Sequence, residues 1–298
     1  RKRYPLLDKF VENTVWSAKN NHADLPTDCP TRERHGWSGA LEGLQTLLDA
    51  SRELDVVALV GLPLLVRGKL YNCAAVFCRG TLLGIVPKTY LPNYGEFYEK
   101  RQFTPGSTEV ETLTVCGQQV PFGTSLLFRC RSMPSFVLGV ELCEDLWVTN
   151  PPSNKLATEG ANIIINLSAS DEYVSKAQYR KKLIETQSAK CICGYIYAGA
   201  SIYESTSDLV FGGATIIAEN GAILAEGKRF SRENVITIAD IDCEKLNTLR
   251  LKDTSFCNNS ISDFETMELP CDFCFDNDDD DDEDDEPKIE LNPDNDLK

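Results

Sequence analysis

Gly139-Val140-Glu141-Leu142-Cys143-Glu144-Asp145-Leu146-Trp147 is the stretch on which the reading of this chain turns. It follows the apolar run Phe136-Val137-Leu138 and precedes Asn150-Pro151-Pro152. An apolar run cut short by carboxylates reads as a buried strand that ends in a tight turn and gives way to a helix. At such a place backbone amides of the turn can face the thiol, and the N-terminal end of a following helix favours thiolate over thiol. Cys143 is therefore a candidate nucleophile. A free cysteine is more often a small buried hydrophobe, so the surrounding sequence has to decide.

The chain has 298 residues, enough for one large domain or two ordinary ones, with 42% hydrophobic and 26% charged residues as in a soluble globular protein. No run approaches the roughly 20 apolar residues that cross a bilayer, and the basic start Arg1-Lys2-Arg3-Tyr4-Pro5 leads into no apolar secretory segment, so no membrane partner is expected. The first residue is not Met, which reads as a processed or cropped chain. Net charge is −16, much of it in the segment from Asp276 onward, where 13 acidic residues face only Lys288 and Lys298. Such a tail is expected to be disordered and self-repelling, and the remaining acidic body offers no footprint for nucleic acid. Twelve cysteines, most of them scattered singly through apolar runs, fit reduced thiols in a cytoplasmic protein. Cys271-x-x-Cys274 is half of a zinc pattern, but no second pair stands near it and His22 and His35 lie far upstream; no metal is expected.

Along the chain, residues 1–38 show no sustained period and read as irregular, with a short helix around Leu7 to Trp16. From Leu41 the spacing of Leu44, Leu47, Leu48 and Leu54 predicts a helix. Val56–Gly61 is an apolar strand, and Leu70–Cys78 with Leu82–Val86 forms a hairpin across Arg79-Gly80. Leu113–Val120 and Thr124–Cys130 read as a further strand pair. Ala161–Leu167 and Cys193–Ala200 are strands, and Lys176–Cys191 between them is a helix. Asn220-Gly221 predicts a hairpin, Val235–Ile241 a last strand, and Asp242 a cap on the helix through Leu249. Strands apolar on both faces, joined by hairpins and helices, predict a layered α/β domain with helices covering the sheets. The domain is expected over 39–255, with a linker and the acidic tail over 256–298.

Three segments end a strand with a polar group: Pro87-Lys88-Thr89-Tyr90-Leu91-Pro92-Asn93-Tyr94-Gly95-Glu96-Phe97-Tyr98-Glu99, Gly139 to Trp147, and Asn166-Leu167-Ser168-Ala169-Ser170. Layered α/β enzymes build sites this way, with reactive groups on loops held by a rigid scaffold. Together with Gly61-Leu62-Pro63, Leu70-Tyr71-Asn72 and Glu204-Ser205-Thr206-Ser207-Asp208-Leu209, these stretches resemble the nitrilase superfamily, specifically the glutaminase domains of glutamine-dependent NAD synthetases.

The resemblance implies a nitrilase-like α-β-β-α sandwich and hydrolysis of glutamine to glutamate and ammonia through a cysteine thioester. Cys143 would be the nucleophile and Lys88 the oxyanion partner, while Glu96 would stand where related amidases carry a supporting carboxylate. Tyr94, Glu144, Trp147, Ser170 and Lys176 would bind substrate, with the backbone N–H of Glu144 at the oxyanion and the Glu204–Asp208 loop beside the pocket. The glutaminase step needs no cofactor; ATP and Mg belong to a synthetase domain, the expected partner that receives ammonia. A homo-oligomer is expected on the same ground.

Two departures stand out. The family's general base is a glutamate in a Phe-Pro-Glu-Leu-like strand end upstream of Gly61, and here neither Glu12 nor Glu33 follows a buried strand, so the first strands of the fold are expected to be lacking. The chain also has no Ser-Gly-Gly-x-Asp-Ser pyrophosphate loop. Two further readings remain open: a scaffold that has lost catalysis, and an amidase of the same superfamily with another amide substrate.

Overall fold

The computed structural model describes residues 30–202, 209–257 and 264–270. The expected short helix around Leu7 to Trp16, the Glu204–Asp208 loop, Cys271-x-x-Cys274 and the acidic tail lie outside the described residues.

Two sheets pack face to face, as expected of an α-β-β-α sandwich. The first has five strands in the order β1-β2-β3-β5-β4: β1 (Val57–Val66), β2 (Lys69–Cys78), β3 (Thr81–Pro87), β4 (Glu111–Val115) and β5 (Gln118–Phe122). The second has seven in the order β11-β10-β9-β8-β7-β6-β12: β6 (Leu126–Cys130), β7 (Val137–Leu142), β8 (Ile163–Ser168), β9 (Gly194–Gly199), β10 (Thr215–Glu219), β11 (Ala222–Glu226) and β12 (Glu265–Leu269). Between the sheets, Ala74, Val76 and Val86 meet Phe128, Leu138, Val140 and Ile163. Helix α1 (Pro30–Ala50) covers the outer face of the first sheet through Leu44, Leu47 and Leu48, which pack on Phe77, Ile85 and Val120. Helices α2 (Pro152–Thr158) and α3 (Lys176–Lys190) lie on the outer face of the second, where Leu156 and Ile184 meet Tyr195 and Ile216. Each sheet is thus covered on both faces, which is why β2 and β3 read as continuous apolar runs rather than alternating ones.

Several elements differ from the sequence reading, each for a local reason. Helix α1 begins at Pro30, inside the segment read as irregular, because a proline at a first helical position starts a helix as readily as it breaks one. Leu113–Val120 is two antiparallel strands, β4 and β5, and the following β6 leaves for the other sheet. The turn between β4 and β5 is Cys116-Gly117, both with positive φ (49° and 73°); the apolar Cys116 hid it. The hairpins at Arg67-Gly68, Arg79-Gly80 and Asn220-Gly221 use the same paired left-handed conformation, whose twist suits two-residue connections. Val235–Ile241 forms no ladder, for β10 is already flanked by β9 and β11. The segment still alternates, leaving Ile236 and Ile238 exposed while Thr237 Oγ1 meets Thr215 Oγ1 at 2.5 Å. Helix α4 (Cys243–Lys252) follows, with Asp242 accepting from the Lys245 N–H at 2.9 Å as expected. Beyond it, β12 pairs in parallel with β6, so ordered sheet extends into the stretch read as linker.

Candidate active site

Strands β7, β8 and β9 are parallel neighbours, with Leu142 opposite Leu167 and Ser168 opposite Gly199. Their C-terminal ends therefore emerge together, the place where open parallel sheets carry their sites. Cys143 follows β7, Ser168 ends β8 and Ser170 lies just beyond it. Lys88 arrives from the other sheet, immediately after β3.

Lys88 is 1% exposed, and a buried ammonium needs a partner. Its Nζ donates to both oxygens of Glu99, at 2.8 and 2.7 Å. Burial by itself would lower the lysine pKa; the charges of Cys143, Glu99 and Asp145, with the Glu99 hydrogen bonds, outweigh burial and raise it. Lys88 therefore stays charged beside the thiol. The carboxylate on Lys88 is Glu99 and not Glu96, the residue expected in support. The 3-10 turn Glu99–Arg101 brings Glu99 back over the strand end, while Glu96, half-buried in the loop, acts on Tyr94 through its charge.

Cys143 is half-buried with φ +44°, a left-handed conformation uncommon outside glycine and frequent at functional turns. Its N–H donates to Asn166 Oδ1 at 3.0 Å, which ties the turn to the neighbouring β8. The helix expected to follow is a single 3-10 turn, Cys143–Leu146, and α2 starts only at Pro152. One turn sums few peptide dipoles, so the positive field on the thiol comes from Lys88 rather than from a helix.

Asp145 is 1% exposed and accepts three backbone N–H groups: Leu142 at 2.9 Å and Thr89 at 3.4 Å on Oδ2, and Tyr90 at 2.8 Å on Oδ1. Below it Glu141, also buried, accepts from the Tyr195 hydroxyl and from the Ser153 N–H at 2.9 Å. Burial raises the Glu141 pKa against these hydrogen bonds.

On the rim, the Tyr94 hydroxyl donates to the Glu144 carboxylate at 2.7 and 2.9 Å. Burial raises the Glu144 pKa, with Glu99 adding to it and Tyr94, Lys88 and Lys176 opposing. Lys176 is buried, paired with Asp171, and its Nζ lies 5.3 Å from the Trp147 ring centroid, 4.9 Å from Tyr173 and 5.7 Å from Phe97. An ammonium over three rings gains from each π face. The hydroxyl of the buried Tyr197 donates to Ser168 Oγ at 2.7 Å, and Ser170 beside it is buried. Arg180 is buried on Glu172 at 2.6 Å, and Arg229 reaches the same carboxylate at 3.2 Å. Of the expected residues, the structure thus joins Tyr94 to Glu144 and Lys176 to Trp147 and lays the field of Lys88 on both Cys143 and Glu144. Sequence reasoning missed Glu99, Asp145, Asn166 and the Asp171, Glu172 and Arg180 group.

The carbon-nitrogen hydrolase family model matches residues 11–251, so the chain belongs to that family. It is 45% identical over 218 residues to the glutamine-dependent NAD(+) synthetase of Mycobacterium tuberculosis, covering 73% of this chain and 32% of that protein. The rat glutamine-dependent NAD(+) synthetase is 33% identical over 229 residues, with 72% and 31% covered. This chain therefore spans about a third of the length of those relatives. A crystal structure of a glutamine-dependent NAD(+) synthetase from Cytophaga hutchinsonii superposes with a TM-score of 0.62 over 78% of this chain and 40% of that one, at 24% identity; it shows the same fold.

Proposed function

We propose that this domain hydrolyses glutamine to glutamate and ammonia, with the ammonia passing to a synthetase part such as the one that names its relatives. The observation that carries this reading is the buried, charged Lys88, held by Glu99 and sensing the Cys143 sulfur. Cys143 attacks the side-chain amide carbon, and the oxyanion that forms is held by Lys88 and the Glu144 N–H. The C–N bond then breaks to leave a thioester. The proton lost by the thiol reaches the departing nitrogen through Glu99, the carboxylate in contact with Lys88, and ammonia leaves. Water adds to the thioester, its proton returns to the sulfur by the same route, and glutamate is released.

Two features suit an amino-acid amide. Glu144, oriented by Tyr94, offers a carboxylate to an α-ammonium. Asn72 is buried, and the Lys88 N–H donates to its carbonyl at 2.8 Å, so the two side chains share a face of the sheet. Its Oδ1 meets no donor among the described residues, and the hydrogens of a substrate carboxamide would satisfy that acceptor.

A retained scaffold without turnover is the second reading, supported by the lack, among the described residues, of a glutamate at a strand end upstream of Gly61: Glu33 lies in α1, and Glu12 falls outside the described residues. A glutamine-shaped electrophile separates the two. Stoichiometric labelling confined to Cys143 and blocked by excess glutamine is expected; labelling spread over the cysteines and indifferent to glutamine would sink the glutaminase reading.

A further inference from the structure

Lys88 and Cys143 stand on different sheets, β3 on the five-stranded one and β7 on the seven-stranded one. The sheets are held together by apolar contact, which is not directional, whereas chemistry needs the thiol and the ammonium placed to a fraction of an ångström. The Asp145 carboxylate supplies direction: it grips the Leu142 N–H on the strand bearing Cys143 and the Thr89 and Tyr90 N–H groups directly after Lys88.

We infer that Asp145 is a positioning residue that fixes the thiol of Cys143 against Lys88 by bridging the two sheets, and that it does so fully only when ionised. A carboxylate has acceptor sites for three N–H groups, but a carboxylic acid must turn one O–H toward a donor and give up a bond. Burial, the largest influence, pushes the Asp145 pKa up to about 7, with Glu141 adding to it and the backbone N–H groups and Lys88 opposing. The charged groups around it are Lys88 after β3, Glu99 against that lysine, Glu141 on β7, and Cys143 and Glu144 in its own turn. Helix α2, packed against the turn, buries Ser153, Leu156 and Ala157, none of them charged. Near neutral pH the clamp therefore sits between its closed and its loosened form.

Ionisation costs stability while it organises the site. The folded pKa lies above the unfolded one, so the stability tied to this proton is full below the ordinary carboxylate range and is lost as pH rises through about 7. Reactivity is expected to move the opposite way, a pairing that a purely structural aspartate does not give.

The test is the alkylation rate of Cys143 by iodoacetamide between pH 6 and 8.5, read on its own peptide, for the full chain and for Asp145→Asn, a mimic of the protonated acid. Loss of the Asp145 charge would by itself favour the thiolate and speed the variant, so a ratio in favour of the parent reports positioning. The ratio is expected near one at pH 6 and about tenfold in favour of the parent at pH 8.5, with Asp145→Asn melting at or above the parent temperature at the higher pH. A ratio that does not change with pH would overturn the inference. Should Asp145→Asn fail to fold, Asp145→Ser supplies the same comparison. The role rests on the glutaminase reading, but alkylation needs no substrate: the expected ratio without glutamate release would refute that reading alone, and glutamate release with a flat ratio would refute the clamp alone.

Discussion

Lys88 and Glu99 form a pair whose halves depend on each other: the ammonium keeps its charge in a buried place because two carboxylate oxygens accept from it. Glu99→Gln removes the counter-charge and the proposed proton carrier at nearly constant shape, and glutaminase kcat is expected to fall roughly 10²-fold or more. Glu96→Gln should stay within a few-fold. The reverse ranking would restore Glu96 to the role expected from sequence. The chain could not show which glutamate is used, since both stand in Gly95-Glu96-Phe97-Tyr98-Glu99 and only the 3-10 turn decides which returns to the strand end. Cys143 and Lys88 were legible because each ends an apolar run. Asp145 stands in the same stretch as Cys143 but gives no signal of its own, for a carboxylate that accepts from backbone N–H groups has no side-chain partner in the sequence to betray it.

Among the elements, α4 shows how much a surface-looking residue can hide. Arg250 is buried and donates to the carbonyls of Ile192 at 3.0 Å, Ala161 at 2.7 Å and Cys191 at 2.8 Å, with a longer bond to Ala157 at 3.4 Å. Those carbonyls lie at and just beyond the C-terminal ends of α2 and α3, where helices leave acceptors unmet. Arg250→Ala should therefore cost roughly 2–4 kcal/mol, a melting temperature lower by about 5–15 °C for a domain of this size. A shift of a degree or less would show that water serves those carbonyls equally well. Elements with a strong period or a turn signal were legible: the β2–β3 hairpin, α3, the Asn220-Gly221 hairpin and the Asp242 cap. Val235–Ile241 has the period of a strand but finds no ladder, because pairing depends on which neighbours β10 already has, and that is a property of the sheet rather than of the segment.

The layered arrangement puts Cys143 and Lys88 on opposite sheets, so the candidate site forms only when the sandwich has closed. Sequence made the layers legible through apolar runs too continuous for a sheet with one wet face; the strand order, and with it the meeting of β3 and β7, depends on contacts that no local pattern carries. The chain belongs to the carbon-nitrogen hydrolases, and the chemistry proposed for it is glutamine turnover at Cys143. The most direct measurement is glutamate and ammonia formed from glutamine by the full chain beside Cys143→Ala, with and without a synthetase part from a relative. Equimolar glutamate and ammonia, well above the Cys143→Ala variant, are the predicted result. Equal traces from both proteins, with the fold intact and a synthetase part present, would contradict it.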